Sequence, residues 1–335
     1  MRILCSADLH LGKATHGLPD QQYGNTRLRD MDDALGQVWK QAADLKPEAS
    51  HVVFLGDVFD SRVPSLPAIA TAMRHISDAI VGGPTHILVG NHDTRSRVWD
   101  IIRHGCRPLY FHDKPDTRTS IVGGPTLAFA PDKASLEALV AKGVKPGTVL
   151  FAHVGIREAM GYIPHDLPAP EEAVPVDLIR QHFSAAVLGH AHKRQVLSLQ
   201  PWIGYAGSLM QLSFAEEGQD KAAFVLDIGD DGRVEEVKLL PVVTPEFRTC
   251  KTAGEAAEAV AAGFRPEMVR VKTEKPLTAE ERAALPPGVA VIVPPASAQA
   301  RDEGLTENLE AAEALERWLR MKGFGEDDIR RLTRL

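Results

Sequence analysis

Histidines, carboxylates and one carboxamide recur along this chain in short, similar groups. Asp8 and His10 stand two apart in "ADLH". Asp57 and Asp60 stand three apart in "GDVFD". Asn91, His92 and Asp93 are consecutive in "GNHD", His153 follows "LFA", and His190 and His192 stand two apart in "LGHAH". Imidazole, carboxylate and amide donors together suit a divalent cation such as Mn, Fe or Zn, and the oxygen donors favour the harder ions. A lone H-x-H or D-x-H is common in polar loops, so the weight lies in the set.

The elements that must position these groups are apolar runs. Ile3-Leu4, Val52–Leu55, Ile87–Val89, Val149–Phe151 and Val187-Leu188 each read as a buried strand that ends in one of the polar groups. Side chains two apart on an extended segment point the same way, so His190 and His192 are predicted to face one common point. Between the first strands lie helical patterns. "TRLRDMDDALGQVWKQAADLK" puts Met31, Leu35, Val38 and Trp39 on one stripe, and "LPAIATAMRHISDAI" reads likewise. Alternating strands and helices predict an α/β protein, in which ligands bind at the carboxyl ends of the strands.

From Pro201 the pattern turns to strands. "WIGYAGSLMQLSF" and "KAAFVLDIGDDGRVEEVKLL" are read as β, the second with a "GDDG" hairpin turn. The expected organisation is a first domain over 1–245, a small α/β unit over 246–297, then a linker and C-terminal helical segment over 298–335. That last segment carries Leu305, Leu309, Ala312, Leu315, Trp318 and Leu319 on one side.

Composition sets outer bounds. The 335 residues are 44% hydrophobic and 25% charged, an ordinary globular balance. Cys5, Cys106 and Cys250 lie far apart without metal-ligand spacing, which points to a reducing compartment without a disulfide framework. The N-terminus "MRILCSADLHLG" lacks the long apolar run of a secretion signal, and no stretch reaches membrane-spanning length; a soluble, cytoplasmic chain with no membrane attachment is expected. The net charge of -7 runs against a nucleic-acid partner unless bound cations or a local basic patch reverse the sign.

Taken in order, D-x-H, G-D-x-x-D, G-N-H-D, a lone H and G-H-x-H over residues 1–215 resemble the calcineurin-like metallophosphoesterases. The resemblance implies a four-layer αββα sandwich of two mixed sheets and a site for two divalent ions, expected to be Mn2+. Asp8, His10, Asp57 and His192 would hold one ion; Asp57, Asn91, His153 and His190 would hold the other, with Asp57 shared. Two such ions about 3.5–4 Å apart lower the pKa of a water towards neutrality and clamp the phosphate oxygens. His92 would then be the general acid for the leaving oxygen. An Asp60–His92 dyad is expected from the motif spacing, and Asp93 is expected either to support the ligands from behind or to cap its loop.

Within that superfamily, "IGYAGSLMQLSFAEEGQDKAAFVLDI" resembles the Y-x-G-S segment, acidic turn and following strand of SbcCD-type nuclease subunits, departing where Ala222 replaces a glycine after Lys221. This resemblance implies a DNA exonuclease and endonuclease of break repair or recombination. It further implies a capping domain, a homodimer and an SMC-like coiled-coil ATPase partner docked on the C-terminal helices. Lys13, Arg62, Arg95, Lys193 and Arg194, with Arg27, Arg29 and Arg97, stand beside the motif loops as candidate phosphate contacts. Two other readings stay open at this point: a phosphodiesterase or phosphatase for small substrates with the same metal site, and a non-catalytic scaffold.

Overall fold

The computed structural model describes residues 1–45, 50–94, 96–106, 109–119, 124–159 and 173–293. Its strands are, in chain order, β1 (Arg2–Ser6), β2 (Pro19–Asp20), β3 (Gly24–Asn25), β4 (His51–Leu55), β5 (Thr85–Leu88) and β6 (Leu109–His112). There follow β7 (Asp116–Thr119), β8 (Thr126–Ala130), β9 (Thr148–His153), β10 (Ala185–Gly189), β11 (Gln195–Leu199) and β12 (Trp202–Tyr205). The last are β13 (Ala222–Ile228), β14 (Val234–Pro241), β15 (Arg248–Cys250), β16 (Val269–Lys272) and β17 (Ala290–Ile292). The helices are α1 (Thr26–Ala43), α2 (Leu66–Gly82), α3 (Val98–Gly105), α4 (Lys133–Lys142), α5 (Val176–His182), α6 (Ala253–Ala261) and α7 (Ala279–Ala283).

Capping residues start the helices where the sequence punctuates them. The Asn25 side chain accepts from Arg27 N ahead of α1, Ser65 from Ala68 N ahead of α2, and Asp132 from Ser135 N ahead of α4.

Two six-stranded mixed sheets face each other, one ordered β14-β13-β1-β4-β5-β6 and the other β11-β12-β10-β9-β8-β7. Strands of the apolar runs alternate between two cores, which is why they read as unbroken hydrophobic stretches. Val52 and Phe54 of β4 pack outward with Leu28, Met31 and Leu35 of α1 and Ala72 and Ile76 of α2. Val53 and Leu55 point inward to meet Phe129, Val149, Phe151 and Val187 of the second sheet. On the far side, Leu150, Ala186 and Leu188 pack on Leu136 and Leu139 of α4 and Ile179 of α5. This is the expected four-layer αββα arrangement. Each fully buried Phe or Leu in these layers stabilises by about 1.5–3 kcal/mol.

A three-stranded parallel sheet, β15-β16-β17, lies apart with α6 and α7, and buries Cys250, Ala256, Val269 and Val271. "WIGYAGSLMQLSF" is strand only over Trp202–Tyr205; the chain then bends at Gly207 (φ 75°) into a loop that ends in a 3₁₀ turn, Phe214–Glu216. The apolar stripe of α1 is core, with Met31 and Leu35 each about 1% exposed. The segment 294–335, with its expected partner-binding helix, lies outside the described residues. Among the described residues no helix is long and apolar enough to cross a membrane.

Candidate metal centre

Because β1, β4 and β5 run parallel in one sheet and β9 and β10 run parallel in the other, their carboxyl ends meet at one edge of the sandwich. There the backbone leaves the sheets abruptly. Asp8, His10, Asp57 and His190 adopt positive φ values of 50°, 45°, 49° and 101°. Non-glycine residues in sparsely populated regions cost on the order of 1–3 kcal/mol each, and such strain clusters at functional sites. The loops brace one another: His10 N donates to Asp57 O (2.9 Å) and Leu11 N to Val58 O (2.9 Å).

This geometry corrects the expected reason for the H-x-H spacing. β10 stops at Gly189, and His190 is left-handed rather than extended, so the two imidazoles converge through a turn and not through strand alternation. The motif glycines are there for space. A Cβ on Gly90 would sit 2.1 Å from Asp57 Oδ1, and one on Gly189 would sit 2.0 Å from the Leu55 carbonyl oxygen.

The structure brings the expected ligands into two adjoining groups. Asp8, His10 and His192 offer donor atoms that all lie within 4.8 Å of one another, and so do Asp57, His153 and His190. Asp57 Oδ2 stands between them, 3.8 Å from His10 Nε2 and 3.3 Å from His153 Nε2. Asn91 Oδ1 completes the second group, 3.0 Å from His153 Nε2 and 3.2 Å from His190 Nδ1. Asp8 also accepts from His190 N at 3.0 Å, which ties the two loops together.

Hydrogen bonds on the outer side of the rings assign their protons. His153 Nδ1 lies 2.8 Å from the Leu55 carbonyl, which can only accept; His10 Nδ1 lies 3.0 Å from Asp60 Oδ1, and His192 Nδ1 lies 3.0 Å from Glu216 Oε1. With Nδ1 donating in each case, Nε2 presents a lone pair inward, the arrangement of metal-ligating histidines. His10 Nε2 and His192 Nε2 then oppose each other at 3.1 Å, a pairing that needs a cation or proton between them. The donor set of buried carboxylates and inward imidazole lone pairs therefore fits divalent metal ions.

Electrostatics agree. Burial pulls the His153 imidazole down, but the Asp57 and Asp8 carboxylates outweigh it and push it up to about 10. Burial raises Asp57, yet His153, His10 and His92 hold it well below the usual carboxylate range. The buried carboxylates thus favour positive charge beside His153 Nε2, which a bound cation would supply in place of a proton.

His92 is half-buried at the rim. Its backbone N donates to Asp57 Oδ1 (2.9 Å), its ring meets that of His10 edge-on at 4.7 Å between centroids, and its Nδ1 lies 3.0 Å from the backbone carbonyl of Asp60. The expected carboxylate–imidazole dyad is therefore corrected. The Asp60 carbonyl orients His92, whereas the Asp60 carboxylate is bonded to His10 Nδ1 and to Lys13 Nζ (3.2 Å). The reason is the tight turn after Asp57, which aims the side chain back at the first motif. Asp93 caps its loop, accepting from Val58 N (2.8 Å) and Gly90 N (2.8 Å); burial and the nearby Asp57 charge push its carboxyl up to about 7.

Of the basic candidates, Lys13 is committed to Asp60, Arg62 and Lys193 are exposed, and Arg194 is half-buried. Arg95 lies outside the described residues. Arg27 cannot meet a substrate: it is 1% exposed and bonded to the Gln211 carbonyl. Arg29 is paired with Asp20 and Arg97 is exposed. Sequence reasoning missed Glu216, which is about 1% exposed and bonded to His192, Ser208 and Lys221. The only trace in the sequence was the acidic turn between the Y-x-G-S segment and Lys221.

A sequence profile described as calcineurin-like phosphoesterase matches residues 1–211, the span that carries every ligand above. The DNA double-strand break repair protein Mre11 of Methanosarcina mazei is 26% identical over 268 residues, covering 76% of this chain and 40% of that protein. A subunit of the nuclease SbcCD from Staphylococcus epidermidis is 27% identical over 267 residues, covering 68% of this chain and 66% of that one. Thus the chain spans about 40% of the length of the archaeal relative. Among solved structures, a 5'-nucleotidase precursor from Thermus thermophilus aligns with a TM-score of 0.41 at 12% identity, covering 73% of this chain and 54% of that one. The profile spans most of the chain and all of its candidate ligands, and the chain belongs to the calcineurin-like phosphoesterase family.

Proposed function

We propose that this protein is a manganese-dependent DNA nuclease that hydrolyses phosphodiester bonds at a two-ion site, as the nuclease subunit of an SMC-like ATPase complex in break repair or recombination. The observation that carries the reading is extent. Similarity to Mre11 covers 76% of the chain, past residue 211 where the general phosphoesterase profile ends. In this reading residues 1–245 form the nuclease domain, 246–297 a capping domain, and 298–335 the segment that docks on the ATPase coiled coil. A homodimer is part of the same expectation.

Asp8, His10, Asp57 and His192 would hold one ion, and Asp57, Asn91, His153 and His190 the other. Bound ions of this kind supply water activation and neutralise phosphate charge. The chain's own residues do the rest. His92, with Nδ1 held by the Asp60 carbonyl, would deliver a proton from Nε2 to the leaving oxygen. The Asp57 carboxylate fixes the His92 backbone, so the shared ligand and the proton donor move as one unit. Arg62, Lys193 and Arg194 would receive backbone phosphates, and binding should weaken steeply with salt.

The test is incubation of the purified protein with end-labelled linear duplex DNA and Mn2+, beside a His92→Ala variant and a cyclic-nucleotide substrate. Degradation of DNA that fails in the variant supports the reading. Turnover of the small substrate alone would overturn the assignment of DNA and favour a small-substrate phosphodiesterase.

A further inference from the structure

A buried ion pair stands directly behind His192 and has no part in the chemistry above. We propose that Glu216 is a positioning residue: its carboxylate aims His192 Nε2 at the ion shared with Asp8 and His10, and Lys221 and Ser208 hold that carboxylate in place. The inference deepens the two-ion reading and rests on it.

Glu216 Oε1 accepts from His192 Nδ1 at 3.0 Å, while Oε2 accepts from Ser208 Oγ (3.0 Å) and Lys221 Nζ (2.5 Å). Lys221 grips the same histidine a second time, through its backbone carbonyl at 3.1 Å, and also meets Ser208 Oγ (2.8 Å) and Gln219 Oε1 (3.1 Å). Both the ring and the backbone of one candidate ligand are thereby tied to one pair of charges. Glu216 is not itself a ligand here, because its oxygen meets the ring on the side opposite Nε2.

The energetics say why the pair matters. Burying a lysine and a glutamate costs several kcal/mol per ion, and apolar residues of similar volume usually stabilise as well or better. Here the two side chains are about 4% and 1% exposed. Their presence is better explained by what they hold than by stability. A ring held only by packing could swing about its Cβ–Cγ bond, and partners behind ligating histidines are what stop this. The local chain is built to deliver Glu216: Ser213 caps the 3₁₀ turn Phe214–Glu216, its side chain accepting from Ala215 N.

The experiment titrates the metal-free full chain with Mn2+ by calorimetry and by electron paramagnetic resonance. The unaltered protein should bind two ions and show a spin-coupled pair. In Glu216→Gln, which keeps the side-chain shape, one ion should bind about 10–100-fold more weakly while the other stays within about threefold, so one equivalent gives an uncoupled signal. His192→Asn should lose the same ion. The double variant Glu216→Gln/Lys221→Met removes both charges together, leaves none unpaired, and should show the same selective loss even if the single variant fails to fold. Wild-type affinities for both ions in a folded Glu216 variant, or equal weakening of the two, would overturn the assignment. A failure of the unaltered chain to bind two ions would overturn the two-ion reading itself, and the assignment with it.

Discussion

His10 and His192 face each other nitrogen to nitrogen at 3.1 Å, and each has its other ring nitrogen bonded to a carboxylate, Asp60 for one and Glu216 for the other. The two residues are 182 positions apart in the chain. Two lone pairs so opposed repel, and an ion between them converts the repulsion into coordination.

Mn2+ should therefore stabilise the folded chain. At a concentration one hundred times the dissociation constant, each site contributes about 2.7 kcal/mol. Scanning fluorimetry with and without Mn2+ measures it: Tm should rise with the ion, fall back on chelation, and respond much less in His10→Ala. An unchanged Tm would count against a metal centre.

Asp60 should act on His10 rather than on His92. Asp60→Asn removes the carboxylate behind His10, which should weaken metal binding or activity about 10–100-fold. The limb of the pH–rate profile that reports His92 should stay in place, because the Asp60 carbonyl remains. His92→Ala should instead lower kcat by about 10²–10⁴-fold with Mn2+ affinity unchanged. A shift of that limb in Asp60→Asn would restore the dyad.

Acid should destabilise the sandwich through three buried histidines that belong to neither candidate ligand group. His51 Nδ1 lies 3.1 Å from His86 Nε2, and His86 Nδ1 lies 3.1 Å from His112 Nε2, a row across β4, β5 and β6. Burial, with the neighbouring imidazoles, pulls His86 down to about 2, and burial pulls His112 down to about 4. The fold thus holds them neutral, whereas the unfolded chain takes up protons below about 6.5. Stability is complete above that pH and falls below it, towards about 4 for His112 and about 2 for His86, by up to about 1.4 kcal/mol per pH unit for each. Denaturant midpoints between pH 7 and pH 5 should fall less in His86→Phe than in the unaltered chain. Equal slopes would mean the row does not govern acid stability.

The small sheet should depend on Asp30. This α1 carboxylate receives Arg265 Nη1 and Nη2, both at 2.8 Å, and faces Arg27, whose guanidinium lies over Phe247. Asp30→Asn leaves buried Arg27 without its counter-charge, at a cost of about 3–5 kcal/mol. Urea unfolding should report that loss, and proteolysis should reach the Arg265 segment sooner. An unaltered midpoint would place the anchor elsewhere, on the Phe214–Phe247 ring contact or on the Glu217 bonds to Thr249.

Much of this protein was legible in its sequence. The doubly buried strands announce themselves as unbroken apolar runs, and the polar residues that end them are the ones gathered in the cleft. Periodicity and punctuation also located α1, α2 and the hairpin at "GDDG", because helix stripes, caps and turn residues are local physics. What the sequence could not supply was direction. It placed Arg27 among the phosphate contacts, where the fold buries it; it paired the Asp60 carboxylate with His92, where the turn aims it at His10. It passed over Glu216, whose meaning comes only from a histidine 24 residues earlier on another loop. Local chemistry chooses strands and helices within a few residues, and so it can be read along the chain. The left-handed turns at Asp8, His10, Asp57 and His190, and the bonds that orient each imidazole, are paid for by packing between two sheets, which exists only once the chain has folded.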